Sequence, residues 1–384
     1  MNALNEVKSI RSRIILFVFY FNIVSLAVYS LPMSVFSDAL PYLSIAAVAN
    51  LSLLLILPLL RYSYTLVLVS LSFLLIFIVI SAISQATAGI IDSEFLRLMV
   101  VVFGMAVIFR EFGSKARLIA ISRIMVTTFF ILVLLQAISI LVFEEEFFSI
   151  NYSSSISFRG DISKFRFSPL NGDPNYFSYT LLPFLIAVTF SYLFFGKRKT
   201  DLILVGAGVI VLLLAMSRGV ILAYFGVILY LYTYRIAKRL VKPLELFFLV
   251  IACIICLLGV IKVLDSRSDN LSSSTSQRVE ILKSQVELIS EAPLLGSGYS
   301  SSKVEVDGQQ FGAHNLFIEV AASYGLFFMA CFILLLMLLF FYGGAFQRAL
   351  LIGFLLASSF LGLIIYMPMW LFLSFCMFRE VRDD

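Results

Sequence analysis

Residues 315–342 read NLFIEVAASYGLFFMACFILLLMLLFFY, a run of 28 residues in which Glu319 is the only charged side chain. About 20 apolar residues are enough for an α-helix to cross the hydrocarbon of a bilayer, so this stretch is long enough to span it. Runs of the same kind recur along the whole chain. Candidate spans lie near 14–31, 39–60, 63–83, 95–109, 118–143, 175–195, 202–217, 219–234, 244–263, 315–342, 349–367 and 369–378. That pattern predicts an all-α polytopic membrane protein of about 12 helices, a single integral membrane domain over residues 1–384. The count falls to 11 if the two runs meeting at Ser217 form one long helix, and the short last run suits a re-entrant or interfacial segment.

Composition agrees. The 384 residues are 61% hydrophobic and 15% aromatic, and only 13% are charged, against roughly a quarter charged in a soluble domain. An ordinary soluble enzyme is excluded. The net charge of +5 matters less than where the cations fall, and it gives no reason to expect a nucleic-acid partner. Cys253, Cys256, Cys331 and Cys376 all sit in apolar runs, where they act as small apolar side chains rather than disulfides or thiolate ligands. The run from Ile14 follows Lys8, Arg11 and Arg13 as a signal peptide would, but it has no small-residue cleavage site and reads as an uncleaved first helix.

Cations orient the bundle. With the amino terminus in the cytoplasm, 17 of the 28 Lys and Arg residues fall in short loops or tails on that side, among them Lys115, Arg117, Lys197, Arg198, Lys199 and Arg348. Both termini are then cytoplasmic. Two longer segments, 144–174 and 264–314, emerge on the outer face, and chemistry belongs there because the inner loops are too short to build walls. Arg97 and Arg123 lie within or beside spans, where each either snorkels or functions. Neither an internal repeat nor an inverted pair of broken helices, the mark of many secondary transporters, is evident.

The second outer segment opens with DSRSDNLSSSTSQ (265–277), which reads as a flexible lip. From there Val279, Leu282, Val286 and Ile289 recur at helical spacing and predict an amphipathic helix over about 277–290, lying along the membrane surface or capping the bundle. A turn at Pro293, Gly296 and Gly298 follows. The segment ends in His314, the only histidine of the chain, at the mouth of the next span. The plain reading of such a residue is a polar helix start; Glu319, five residues on and inside the span, makes a functional reading stronger, because an ionisable group at membrane depth is a functional candidate. Its plain alternative is a carboxylate facing a hydrated cavity.

Met216-Ser217-Arg218-Gly219 interrupts an apolar region where the topology puts the outer surface. Arg218 there is either an interface anchor or a ligand group. The first outer segment adds Arg159 and Arg166, and then RFSPLNGDPNYFSY (166–179), in which Asn175 opens a helix at a good capping position. Helix capping is the simpler role for Asp173 and Asn175. Taken together, the outer face offers arginines, one histidine and a few carboxylates without a His, Cys or Asp cluster at metal-ligand spacing. Guanidinium forks bind phosphate oxygens in pairs, so the expected ligand is a lipid-borne phosphate, handled without a bound metal.

Three segments in order, RFSPLNGDPNYFSY, the Ser217-Arg218-Gly219 turn, and the run from Arg278 through PLLGSGYS to HNLFIEVAASYGL, resemble the O-antigen ligase and Wzy polymerase superfamily over roughly residues 155–330. The resemblance implies a glycosyltransferase of the bacterial inner membrane with a GT-C-like helical fold, acting on the periplasmic face. Its donor is a glycan on undecaprenyl diphosphate, with no further cofactor. In a Wzy polymerase the acceptor is another lipid-linked repeat unit, whereas in a ligase it is lipid A-core; the DPN turn favours the polymerase. Partners would be lipid-linked oligosaccharides, membrane lipids, and a flippase and chain-length regulator of the same pathway. Arg218 and Arg278 would neutralise the diphosphate leaving group, and His314 would accept the proton of the attacking hydroxyl, inverting the anomeric centre. Arg166, Arg159, Asp173, Asn175, Tyr299 and Glu319 are the expected substrate-binding residues, with Tyr299 stacking on a sugar. The competing classes are a flippase of lipid-linked glycan, which would carry charges through the bundle and at its midplane, and a structural partner of an assembly complex, which would not need His314.

Overall fold

The computed structural model describes residues 115–143, 173–196, 198–238, 268–298, 304–306, 309–311 and 315–361, with isolated positions at 13, 14, 17, 18, 20, 21, 167, 372 and 373. The expected spans near 39–60, 63–83, 95–109 and 244–263, Arg97, and nearly all of 14–31 and 369–378 lie outside the described residues. Those described form seven helices: α1 (Lys115–Phe143), α2 (Pro174–Phe194), α3 (Lys199–Ala215), α4 (Arg218–Ala237), α5 (Ser268–Glu291), α6 (Leu316–Tyr342) and α7 (Ala345–Ser358). The one exception to helix is a small antiparallel hairpin of β1 (Val304–Val306) and β2 (Gln309–Phe311), with Val304 opposite Phe311. Helices α1, α2, α4 and α6 are long and apolar enough to cross a membrane, whereas α3 has 17 residues and α7 has 14. The protein is a helical membrane protein.

The chain divides into two compact units, the first built from residues 1–70, 97–221 and 367–384 and the second from 71–96 and 222–366. In the first, α1, α2 and α3 pack on one another. Lys115, at the start of α1, sits over the rings of Phe190 and Phe195 at the end of α2, and Arg123 of α1 reaches Asp201 at the start of α3. Phe129, further along α1, meets Phe177 near the start of α2, with ring centroids 4.9 Å apart. These contacts make neighbouring helices antiparallel, as successive spans must be. Helix α2 is buried on all sides from Phe177 to Ser191, which explains an apolar sequence with no polar stripe. Arg123, which the sequence leaves between snorkelling and function, is therefore a packing residue paired with a carboxylate.

The two runs meeting at Ser217 are separate helices. Met216 takes a left-handed conformation, φ 52° and ψ 35°, and its N–H bonds back to the carbonyls of Leu212 and Leu213. That geometry is unfavourable for a side chain with a Cβ, and it lets the chain leave α3 and start α4 within two residues.

In the second unit the structure departs from the sequence reading in two places. Helix α5 begins at Ser268 rather than near 277, so the polar run read as a flexible lip is helical in its backbone for most of its length. Ser and Asn are weak helix formers, and their composition hid the extension. Helix α6 is not one continuous span: Gly325 has φ 82° and ψ 168°, which breaks the hydrogen-bond ladder in the middle of an apolar run.

The turn after α5 fills that break. Ser297 N–H and its hydroxyl both donate to Ala322 O, Gly298 N–H donates to Ser323 O, and Leu326 N–H donates to Pro293 O at 2.7 Å. A Cβ on Gly325 would lie 2.1 Å from Leu294 O, and one on Gly296 would lie 2.5 Å from the Ser323 carbonyl. Only glycine fits at either position, since each also has a positive φ. Irregular backbone within an apolar helix, away from water, needs protein partners for its polar groups, and residues 293–298 supply them.

Candidate active site

Expected site residues fall in both units. In the first, Arg218 is the first residue of α4, immediately after the buried Ser217, and its side chain is half-exposed. A cation at a helix start opposes the helix dipole, costing about 0.3–1 kcal/mol. Oriented N–H groups and a guanidinium at one end of a helix together suit an anion. Phe167, the residue after Arg166, donates its N–H to Leu214 O at 3.2 Å, in the last turn of α3. Phe167 is thereby anchored within one turn of helix from the Ser217-Arg218 junction.

Asp173 and Asn175 also belong to the first unit, where the simpler reading, helix capping, holds for Asp173 and not for Asn175. Helix α2 starts at Pro174, a favoured first position, and its N-cap is Asp173, whose Oδ1 accepts from Asn175 N–H at 2.6 Å. Asp173 is the cap and Asn175 its donor. Proline has no N–H to lose at the first helical position, and its fixed φ sets the helix going one residue early.

The second unit holds Glu319 and the backbone of Arg278, which lies within α5. Asn315 caps α6, its Oδ1 accepting from Phe317 N–H and Ile318 N–H, and its Nδ2 donates to Ser359 O at 3.2 Å, just beyond α7. Glu319 is in the first turn of α6 and 5% exposed, a location where the helix dipole favours a carboxylate. The residue adjoining this cap in sequence is His314. His314, Arg159, Arg166 and Tyr299 lie outside the described residues, as does the side chain of Arg278.

Three structural features escaped the sequence reading. Asp201 is a buried partner for Arg123; an acid in the first turn of an apolar helix was its only signal. The break at Gly325 left no mark on hydropathy, although a glycine inside a long helix is unfavourable by about 1 kcal/mol and so carried a weak signal. Arg348 donates from Nε to Phe340 O and from Nη2 to Phe341 O, closing the end of α6 where the sequence suggested only a topological anchor. Among the described residues no group of three or more His, Cys, Asp or Glu side chains could hold a metal ion.

Residues 202–333 match a family model described as O-antigen ligase. The match agrees with the superfamily that the sequence motifs resemble. It runs from the start of α3 to the middle of α6, enclosing Arg218, Arg278, His314 and the splice at Gly325, while RFSPLNGDPNYFSY lies before it. Comparison with curated proteins gives no match.

Proposed function

We propose that the chain polymerises lipid-linked oligosaccharide repeat units at the outer face of the bacterial inner membrane, taking the growing glycan from undecaprenyl diphosphate. The observation that carries this reading is the family match over 202–333, since that one stretch contains every residue assigned to the chemistry. A hydroxyl oxygen of the acceptor sugar attacks the anomeric carbon, and the bond from that carbon to the diphosphate oxygen breaks. The electron pair leaves with the diphosphate, whose charge Arg218 and Arg278 neutralise, and the hydroxyl proton passes to His314. One displacement inverts the anomeric centre. Arg166, Arg159, Tyr299 and Glu319 line the substrate; Asp173 and Asn175 hold the start of α2 and act on the site only through it.

The description of the matching family favours a second reading, in which the same chemistry delivers the glycan to lipid A-core. One experiment distinguishes the two. Arg218→Ala, Arg278→Ala and His314→Ala are expressed in a strain lacking the gene, and its surface polysaccharide is separated on a gel. Loss of a polymerase leaves cores bearing a single repeat, whereas loss of a ligase leaves bare cores. Normal ladders from all three well-expressed variants would overturn the assigned site.

A further inference from the structure

Helix α5 presents three different faces. At ~100° per residue, Ile281, Gln285 and Leu288 share one face, and the first two are fully buried in the protein. Leu282, Val286 and Ile289 form a second face about 100° further round. Leu282 is 43% exposed and Val286 54% exposed. Glu280, Lys283 and Glu287 occupy a third face, and all three are exposed. The apolar stripe legible in the sequence is thus not the face that packs on the protein. A helix with one buried, one exposed apolar and one exposed charged face matches a junction of protein, lipid and water.

Helix α6 fixes the level of that junction. From Leu316 to Tyr324 it has no exposed residue, so this part is surrounded by protein. Beyond Gly325 only a stripe is buried, including Phe328, Phe332 and Leu336, while Leu326, Phe327 and Leu334 are exposed. Leu326–Tyr342 is ~26 Å long at ~1.5 Å per residue, close to the ~30 Å of the hydrocarbon core. The lipid boundary therefore falls at the break. The splice holds the turn after α5 to that same level, and there Leu294 is 69% exposed beside Leu326 and Phe327. The exposed apolar residues of α5 are joined through the turn at Leu294 to the level where the lipid-facing flank of α6 begins.

We infer that the Leu282, Val286 and Leu294 face is a lipid-docking surface, which seats α5 in the outer leaflet at headgroup depth. Its occupant is the acyl chains of membrane lipid. Docking holds the α5 backbone at Arg278, one turn before Leu282, at the level where lipid phosphates lie. Lipid contact at α5 is independent of which acceptor the enzyme uses.

Trp370 is the only tryptophan, so Trp370→Phe gives a silent background for single probes in the full chain. Val286→Trp, Leu294→Trp and Glu287→Trp are each reconstituted into phosphatidylcholine vesicles with and without brominated acyl chains. Brominated lipid is expected to reduce emission at least twofold for Val286→Trp and Leu294→Trp and to leave Glu287→Trp unchanged, while aqueous acrylamide quenches Glu287→Trp alone. Emission from Val286→Trp and Leu294→Trp that ignores brominated lipid overturns the docking surface. If acrylamide reaches those rings the face opens to water, and if it does not a protein partner covers the face.

Discussion

Arg123 closes on Asp201 through two parallel hydrogen bonds, Nε to Oδ1 at 2.7 Å and Nη2 to Oδ2 at 2.9 Å, and Ser191 joins them by donating to Oδ2 at 2.8 Å. Three helices of the first unit are tied at one end by this group. Asp201 is 1% exposed and Arg123 29% exposed, so removing the acid strands a cation that water reaches only in part. Asp201→Ala is expected to destabilise the protein by about 2–3 kcal/mol, less than the ~3–5 kcal/mol for breaking a fully buried pair because water reaches the cation in part. The Arg123→Leu/Asp201→Leu double variant is expected to recover most of that loss. Thermal unfolding in detergent, followed for the wild type, Arg123→Leu, Asp201→Leu and the double variant, measures the coupling. Additive losses would show that the pair contributes nothing as a pair.

Gly325→Ala places a Cβ against Leu294 O in a backbone conformation that disfavours side chains. A loss of at least about 2–3 kcal/mol is expected, seen as a smaller folded fraction by size-exclusion chromatography. Gly206→Ala, with nothing within 4 Å of the new carbon, is expected to be neutral or stabilising by up to about 1 kcal/mol. Equal behaviour of the two variants would mean that the break is not required.

Asn315 does two jobs that substitution can separate. Asn315→Asp keeps the acceptor that caps α6 and loses the bond to Ser359 O, whereas Asn315→Ala loses both. The alanine variant is expected to melt lower than the aspartate variant by an amount equivalent to about 1 kcal/mol. A melting order of aspartate below alanine would put the stability in the Ser359 contact instead.

Arg218→Lys retains the charge at the start of α4 without the planar fork. If the guanidinium holds two diphosphate oxygens, polymerisation is expected to fall by about tenfold or more, since a charge-assisted bond contributes about 1.5–3 kcal/mol. Full activity with lysine, measured as polysaccharide ladder intensity at matched expression, would reduce the role of Arg218 to charge alone.

Helix identity was legible because hydropathy is summed over some twenty residues, so the spans near 118–143, 175–195, 202–217, 219–234 and 315–342 emerge close to their observed bounds. The junction at Ser217 was legible for a related reason: a polar tripeptide inside an apolar stretch has few explanations. What hydropathy does not encode is backbone geometry. Gly325 adds no charge and interrupts no apolar run, so the break appears only when its distant partners, Pro293 to Gly298, are in place. Asp201 was hidden by the same logic, because its partner lies 78 residues away. The cap falls at Asp173, two residues before Asn175, since Pro174 tolerates the first helical position better than the sequence pattern suggested. For the candidate site, residue types and order were readable, and the division of labour between holding a helix and touching a ligand was not.

The splice also sets where the protein can change in length. Its bonds, among the described residues, join residues 293–298 to residues 322–326. Insertions or deletions in the chain between those two segments leave the splice intact, whereas a single added residue on either side of Gly296 or Gly325 throws the donors and acceptors out of register. Among descendants of this sequence the turn and the break must therefore be inherited together, whatever changes the chain between them undergoes away from Tyr299 and His314.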